Sequence, residues 1–127
     1  MYLARSLWFF SVLFVTACTT GKLSYIDENG NETLACDVEF VGLPSVDKYA
    51  VEYALSLCAK ALVKKGRSIR ETHLLDIDTS IPAPPCGETW THQKAKKEYK
   101  TGELSNKEYG YLVAHIDLGL AVVNRCN

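Results

Sequence analysis

Hydrophobic and polar residues alternate in two neighbouring stretches of the chain, residues 22–27 and 32–40. Alternation with a period of two is typical of β-strands that are buried on one face. Asn29-Gly30 lies between the two stretches, and an Asn-Gly pair flanked by alternating residues is a strong hairpin signal. The pattern therefore predicts an antiparallel β-hairpin.

The register of this hairpin follows from the length of its turn. A two-residue turn places Leu23 opposite Cys36 and Tyr25 opposite Leu34, and directly opposed residues share a face. A slip of one residue would move the apolar set to the solvent side, which favours this register. The predicted apolar face consists of Leu23, Tyr25, Leu34, Cys36, Val38 and Phe40.

A long helix is predicted after the hairpin. Residues 42–44 interrupt the second strand, and Ser45 or Asp47 is expected to cap the helix. The helical pattern runs to about Lys65 and stops at Gly66. The rest of the helix surface is largely apolar, which predicts that it is covered on more than one side. Its polar residues follow one narrow row, namely Lys48, Glu52, Ser56, Lys60 and Lys64.

Three more elements are predicted in the second half of the chain. Residues 69–78 alternate and predict a third strand, and residues 92–101 predict a helix. Ser105 and Glu108 form a capping box that opens a last helix, which is expected to extend to about residue 123. The predicted fold class is α+β: a small single domain in which a β-hairpin and a third strand pack against the long helix, followed by a C-terminal helical hairpin.

The start of the chain is typical of an export signal. Arg5 precedes an apolar run over residues 7–15, which is too short for a transmembrane helix. The next residues complete the stretch Val15-Thr16-Ala17-Cys18, which resembles the lipobox of bacterial lipoproteins. This resemblance implies cleavage before Cys18 and attachment of lipid to its thiol. The same residues also fit an ordinary signal-peptidase site, which is the alternative.

The lipobox resemblance also implies a location and a domain organisation. A lipidated Cys18 would hold the protein on a membrane of the bacterial cell envelope. Thr19 after it, in place of an aspartate, implies the outer membrane, with the domain facing the periplasm. The predicted organisation is a lipoprotein signal peptide at residues 1–17, a lipidated tether at residues 18–22 and a small α+β domain at residues 23–127.

The cysteine count supports this interpretation. The chain has five cysteines, and an odd number in an exported protein needs an explanation. Lipid on Cys18 would leave four, which allow three pairings. We favour Cys36–Cys58, because both positions face the predicted core, and Cys86–Cys126. An oxidising envelope would permit these two disulfides.

Charge and motifs exclude several function classes. Fourteen basic residues against fifteen acidic ones give a formal net charge of −1, so nothing points to a nucleic-acid partner. The sequence has no Cys-x-x-Cys pair, glycine-rich phosphate loop, Gly-x-Ser-x-Gly elbow or His-Glu-x-x-His motif. The sequence therefore predicts no cofactor, no metal site and no enzymatic activity.

The loop of residues 79–91 contains the binding candidates. It is rich in proline and lacks periodicity, and long irregular loops are often functional. Trp90 either presents a binding surface, as aromatic interface anchors do, or folds back as a lid over the core. Glu88 and His92 flank it and are further binding candidates, which could act as an acid–base pair.

These observations predict a membrane-anchored envelope lipoprotein with a non-enzymatic structural or protein-binding role. Its expected partners are the membrane, through the lipid anchor, and another envelope protein. The alternative is an inhibitor or a small-ligand binding module that uses the loop of residues 79–91.

Overall fold

The computed structural model describes residues 17–126. Residues 1–16 of the predicted signal peptide and the last residue of the predicted domain lie outside the described residues. The architecture of the described residues is α+β, as expected, with a two-stranded antiparallel sheet, three α-helices and two disulfides. The elements in chain order are β1 (Ala17–Ile26), β2 (Glu32–Gly42), α1 (Pro44–Lys64), a 3₁₀ helix (Thr72–Asp76), α2 (His92–Lys100) and α3 (Asn106–Asp117).

The β-hairpin forms, with a turn one residue longer than predicted. The Asp27 amide donates to the Asn31 carbonyl, and Gly30 takes a positive φ of 81° between them. Glycine adopts this left-handed conformation without steric cost. The Asp27 carboxylate accepts hydrogen bonds from the amides of Asn29 and Asn31, which holds the three-residue loop.

The longer turn changes the register of the three residue pairs next to it. Tyr25 pairs with Thr33, so the predicted Tyr25–Leu34 pair was wrong, and Leu34 is 53 % exposed. A bulge between Leu23 and Ser24 then absorbs the extra residue. Leu23 therefore lies opposite Cys36, as predicted.

Helix α1 is the central packing element, because it contacts both strands, the 3₁₀ helix and α3. It begins at Pro44 after Leu43, without a side-chain cap, so the predicted cap at Ser45 or Asp47 was wrong. Proline suits the first helical position because its φ is already helical and its missing N–H has no partner there. The helix ends before Gly66, which has a φ of 81°.

The predicted third strand was wrong. Only Ser68 bridges to β1, at Ile26, and a 3₁₀ helix follows over Thr72–Asp76. The reason is that α1 binds the backbone of this segment: Ser56 Oγ donates to the Leu74 carbonyl at 2.8 Å, and Lys60 Nζ donates to the Ile77 carbonyl at 2.7 Å. Those carbonyls are thereby satisfied by the helix instead of by a strand.

The C-terminal helical hairpin is confirmed, with a shorter last helix. Ser105 and Glu108 form the predicted capping box, and Thr91 caps α2 by accepting from the Lys94 amide. Helix α3 ends at Asp117 instead of near residue 123, since Gly119 takes a φ of 73° and the chain leaves the helix.

Candidate functional site

Cys18 lies in strand β1, opposite Val41 of β2. Strand β1 begins at Ala17, so residues 18–22, which we expected to form a tether, are paired with β2. The Cys18 side chain is exposed and carries no disulfide. A hydrogen bond to the Glu39 carboxylate raises the pKa of this thiol, which favours the protonated form over a reactive thiolate.

The other four cysteines form the two disulfides that we favoured. Cys36–Cys58 joins β2 to α1 with a Cα–Cα distance of 6.6 Å. Cys86–Cys126 joins the proline-rich loop to the end of the chain with a Cα–Cα distance of 5.5 Å. The first crosslink holds the helix on the sheet, and the second fixes two irregular segments to each other.

Trp90 is a lid on the core and not an exposed anchor. Its side chain is 4 % exposed and packs with Ala95, Leu104 and Leu112. The indole Nε1 donates to the Pro82 carbonyl at 2.7 Å, which gives the buried N–H its partner. Of the two alternatives for Trp90, the structure therefore shows the lid over the core. The prediction of Trp90 as a surface binding residue was wrong.

Glu88 and His92 do not meet. Glu88 pairs with Lys94 at 2.9 Å. His92 Nε2 and Asp117 Oδ1 lie 2.6 Å apart, which connects the first residue of α2 to the last of α3. The two residues thus form two separate surface pairs and not an acid–base pair with each other.

Residues 118–126, here called the C-terminal segment, follow α3 and are bonded to the loop of residues 79–91 through Asn124. The Gly87 amide donates to the Asn124 carbonyl and the Asn124 amide donates to the Glu88 carbonyl, both at 2.8 Å. The Asn124 side chain also donates to the Pro84 carbonyl at 2.7 Å. These bonds and the Cys86–Cys126 disulfide fix one end of the segment.

The C-terminal segment concentrates exposed apolar side chains. Half of the large exposed hydrophobic residues in the described part of the chain lie in its first six positions, residues 118–123. The side chain of Val122 is 74 % exposed. Within the described residues, the backbone amides of Ala121, Val122 and Val123 donate to no other backbone group. The exposed side chains of the segment are Leu118, Leu120, Val122 and Val123.

A cleft of about 420 Å³ lies where the end of β2 meets α1, α2 and α3. We call it the Asp47 cleft, because Asp47 lines it together with His92, Lys96 and Asp117. Asp47 is 5 % exposed, and burial raises the pKa of its carboxyl group. From the sequence, Asp47 was predicted only as a helix cap, and this cleft was not predicted. Its position off the polar row of α1 was the available signal.

The search for related proteins gives no match to any family model, curated protein or solved structure. No helix within residues 17–126 is long and apolar enough to cross a membrane. Over the same residues, no group of three or more His, Cys, Asp or Glu side chains is arranged to hold a metal ion.

Proposed function

We propose that this protein is a lipid-anchored component of the bacterial envelope, with a non-enzymatic role in binding another envelope protein. Support for the anchor comes from the Val15-Thr16-Ala17-Cys18 sequence together with the cysteine pairing. Four cysteines are engaged in disulfides, and the thiol of Cys18 is exposed. Oxidising conditions outside the cytoplasm suit such crosslinks.

The proposed anchor would hold the domain close to its membrane. Cys18 pairs with Val41 inside the sheet, so no flexible stretch separates the modified residue from the folded domain. Val41 is 62 % exposed, and the nearby Leu43 is also exposed. An anchor in this position favours a fixed partner in the envelope, and the outer membrane facing the periplasm is the location that Thr19 implies.

The proposal of a binding role rests on the C-terminal segment. Contiguous exposed apolar side chains mark interaction sites in soluble domains. Free backbone amides beside them allow a partner strand to add by main-chain hydrogen bonds, with Val122 contributing side-chain contact. The disulfide at Cys126 and the bonds of Asn124 limit the motion of the segment, which lowers the entropy lost on binding.

The alternative, an inhibitor or ligand-binding module that uses residues 79–91, has weaker support. Its leading residue, Trp90, is buried, and Glu88 is paired with Lys94. The C-terminal segment offers the more exposed and more apolar surface, so we place the binding role there.

The anchor is tested by Cys18→Ser in the native host, with metabolic labelling by a fatty acid. We expect loss of the label and accumulation of uncleaved precursor, while Thr20→Ser, two positions further along β1, is processed and labelled normally. Normal cleavage of Cys18→Ser would contradict the anchor and favour ordinary secretion.

The binding role is tested by Val122→Asp, with Val63→Asp as the matched control. Both residues are exposed valines, and Val63 lies on α1 away from the C-terminal segment. We expect crosslinking in intact cells to give a defined adduct with the wild type and with Val63→Asp, and none with Val122→Asp. An undiminished adduct with folded Val122→Asp would overturn the assignment of this surface.

A further inference from the structure

The Asp47 cleft holds a carboxylate whose hydrogen bonding is incomplete. Asp47 Oδ2 is fully buried and has no hydrogen-bond partner within the described residues. Buried polar atoms in proteins are nearly always hydrogen-bonded, and a buried charge without a partner is costly. The nearby acid Asp117 differs, because His92 pairs with it. A residue that lines the cleft therefore carries one acceptor atom that the described part of the protein does not satisfy.

Gly42 lies close against this carboxylate. A Cβ at Gly42 would lie 3.3 Å from Asp47 Oδ1 and 3.5 Å from Oδ2. Gly42 has no positive φ, so its backbone does not need glycine. Glycine at this position keeps a side chain from crowding the carboxylate, and both residues line the cleft.

The remaining lining combines apolar and polar side chains. Val41, Leu43 and Val113 line the cleft, and they suit an alkyl chain. The charged residues of the lining are Asp47, Asp117 and Lys96, and His92 pairs with Asp117. The volume of about 420 Å³ lies within the range of small-molecule sites, which is roughly 300–1,000 Å³.

We propose that the Asp47 cleft binds a small molecule carrying a primary alkylammonium group. The ammonium would donate to the carboxylate of Asp47, and the alkyl chain would lie against the valine and leucine side chains. This inference goes beyond the proposed function, because it concerns neither the anchor nor the C-terminal segment. A charge-assisted hydrogen bond of this kind distinguishes an amine from a neutral molecule of equal size.

The test compares n-pentylamine with 1-pentanol on the full-length protein at pH 7, by following backbone amide shifts of residues 42–47. We expect saturable shifts with pentylamine and a Kd lower by about tenfold than that of pentanol, as a bond to a charged group provides. Equal affinity for the two probes, or no saturable shift with pentylamine, would overturn the proposal. This comparison uses the wild type and is independent of any variant.

Two variants locate the bound amine. Asp47→Asn keeps the shape and removes the charge, so pentylamine affinity should fall by about tenfold while pentanol affinity stays the same. Gly42→Ala should also weaken the binding of pentylamine, because its methyl group would lie against the carboxylate of Asp47. Asp76→Asn, an exposed acid on the 3₁₀ helix, is the control and should bind like the wild type. Wild-type affinity in folded Asp47→Asn would refute the site.

Discussion

Gly110 of α3 lies directly against the backbone of Val46 in α1. A Cβ at Gly110 would be 2.5 Å from the Val46 carbonyl oxygen and 2.7 Å from Tyr49 Cβ. The two helices thus touch backbone to backbone, which brings the rings of Tyr53 and Tyr111 to a centroid distance of 5.2 Å. Glycine is required here for close approach and not for its φ.

Gly110→Ala is expected to destabilise the protein. Alanine would add up to about 1 kcal/mol of helix propensity, but the methyl group has no space, and overpacking costs typically about 1–3 kcal/mol or more. We expect urea denaturation to show a lower free energy of unfolding. Ser45→Ala, at an exposed position of α1, is the control and should change stability little. An increase in stability for Gly110→Ala would contradict the close helix contact.

Trp90→Ala is expected to lower the free energy of unfolding by about 3–5 kcal/mol, the usual cost of truncating a buried aromatic residue. Trp90→Phe should cost less, because the ring keeps most of its packing and the Pro82 carbonyl alone loses its donor. Chemical denaturation of the wild type and the two variants measures this order of the free energies of unfolding. A wild-type free energy of unfolding in Trp90→Ala would show that the indole is not the lid of the core.

His115 makes the stability depend on pH. Its Nδ1 lies 2.9 Å from the Tyr53 hydroxyl, and burial lowers the pKa of His115 below its ordinary value of 6.5. The unfolded chain then binds a proton more readily than the folded one. The contribution of neutral His115 is complete above about pH 6.5 and decreases as the pH falls below it, down to the folded-state pKa.

His115→Gln isolates this contribution, since glutamine can bond to Tyr53 and does not titrate. We expect the stability of the wild type relative to His115→Gln to fall between pH 7.5 and pH 5. Burial raises the pKa of Asp47, which acts in the opposite direction at lower pH. This effect is common to both proteins and cancels in the difference. A pH-independent difference would be inconsistent with the lowered pKa of His115.

The two disulfides are expected to act on different parts of the molecule. Cys36→Ala/Cys58→Ala should lower the free energy of unfolding by about 2–4 kcal/mol, because this crosslink joins β2 to α1 in the core. Cys86→Ala/Cys126→Ala should instead increase hydrogen exchange at the Asn124 amide while the amides of α1 stay protected. Equal loss of protection in α1 for both variants would argue against this division.

Local signals in the sequence were sufficient for several elements. Asn29-Gly30 marks the hairpin, and Ser105 with Glu108 marks the start of α3, because each acts through bonds between near neighbours. The Cys36–Cys58 pairing also followed from which strand and helix positions face the core, and Cys86–Cys126 is the pair that remains.

Other elements depended on distant partners. Residues 69–78 alternate in the way that strand residues do. In the structure, Ser56 and Lys60 of α1 donate hydrogen bonds to backbone carbonyls of this segment, which forms a 3₁₀ helix instead of a strand. The apolar pattern after Asp117 is helical, but Gly119 and the bonds of Asn124 draw the chain out along the loop. Neither outcome is encoded in the periodicity of the segment itself.

The sequence by itself determined the α+β class, the hairpin and the helical hairpin, and favoured the observed crosslinks among three pairings, since these depend on turn residues, caps and the faces of single elements. Only the tertiary structure decided the burial of Trp90, the exposure of Val122 and the assembly of the cleft around Asp47. The physical reason is that burial and pocket geometry arise between elements. An apolar or charged side chain has the same local pattern whether or not another helix covers it.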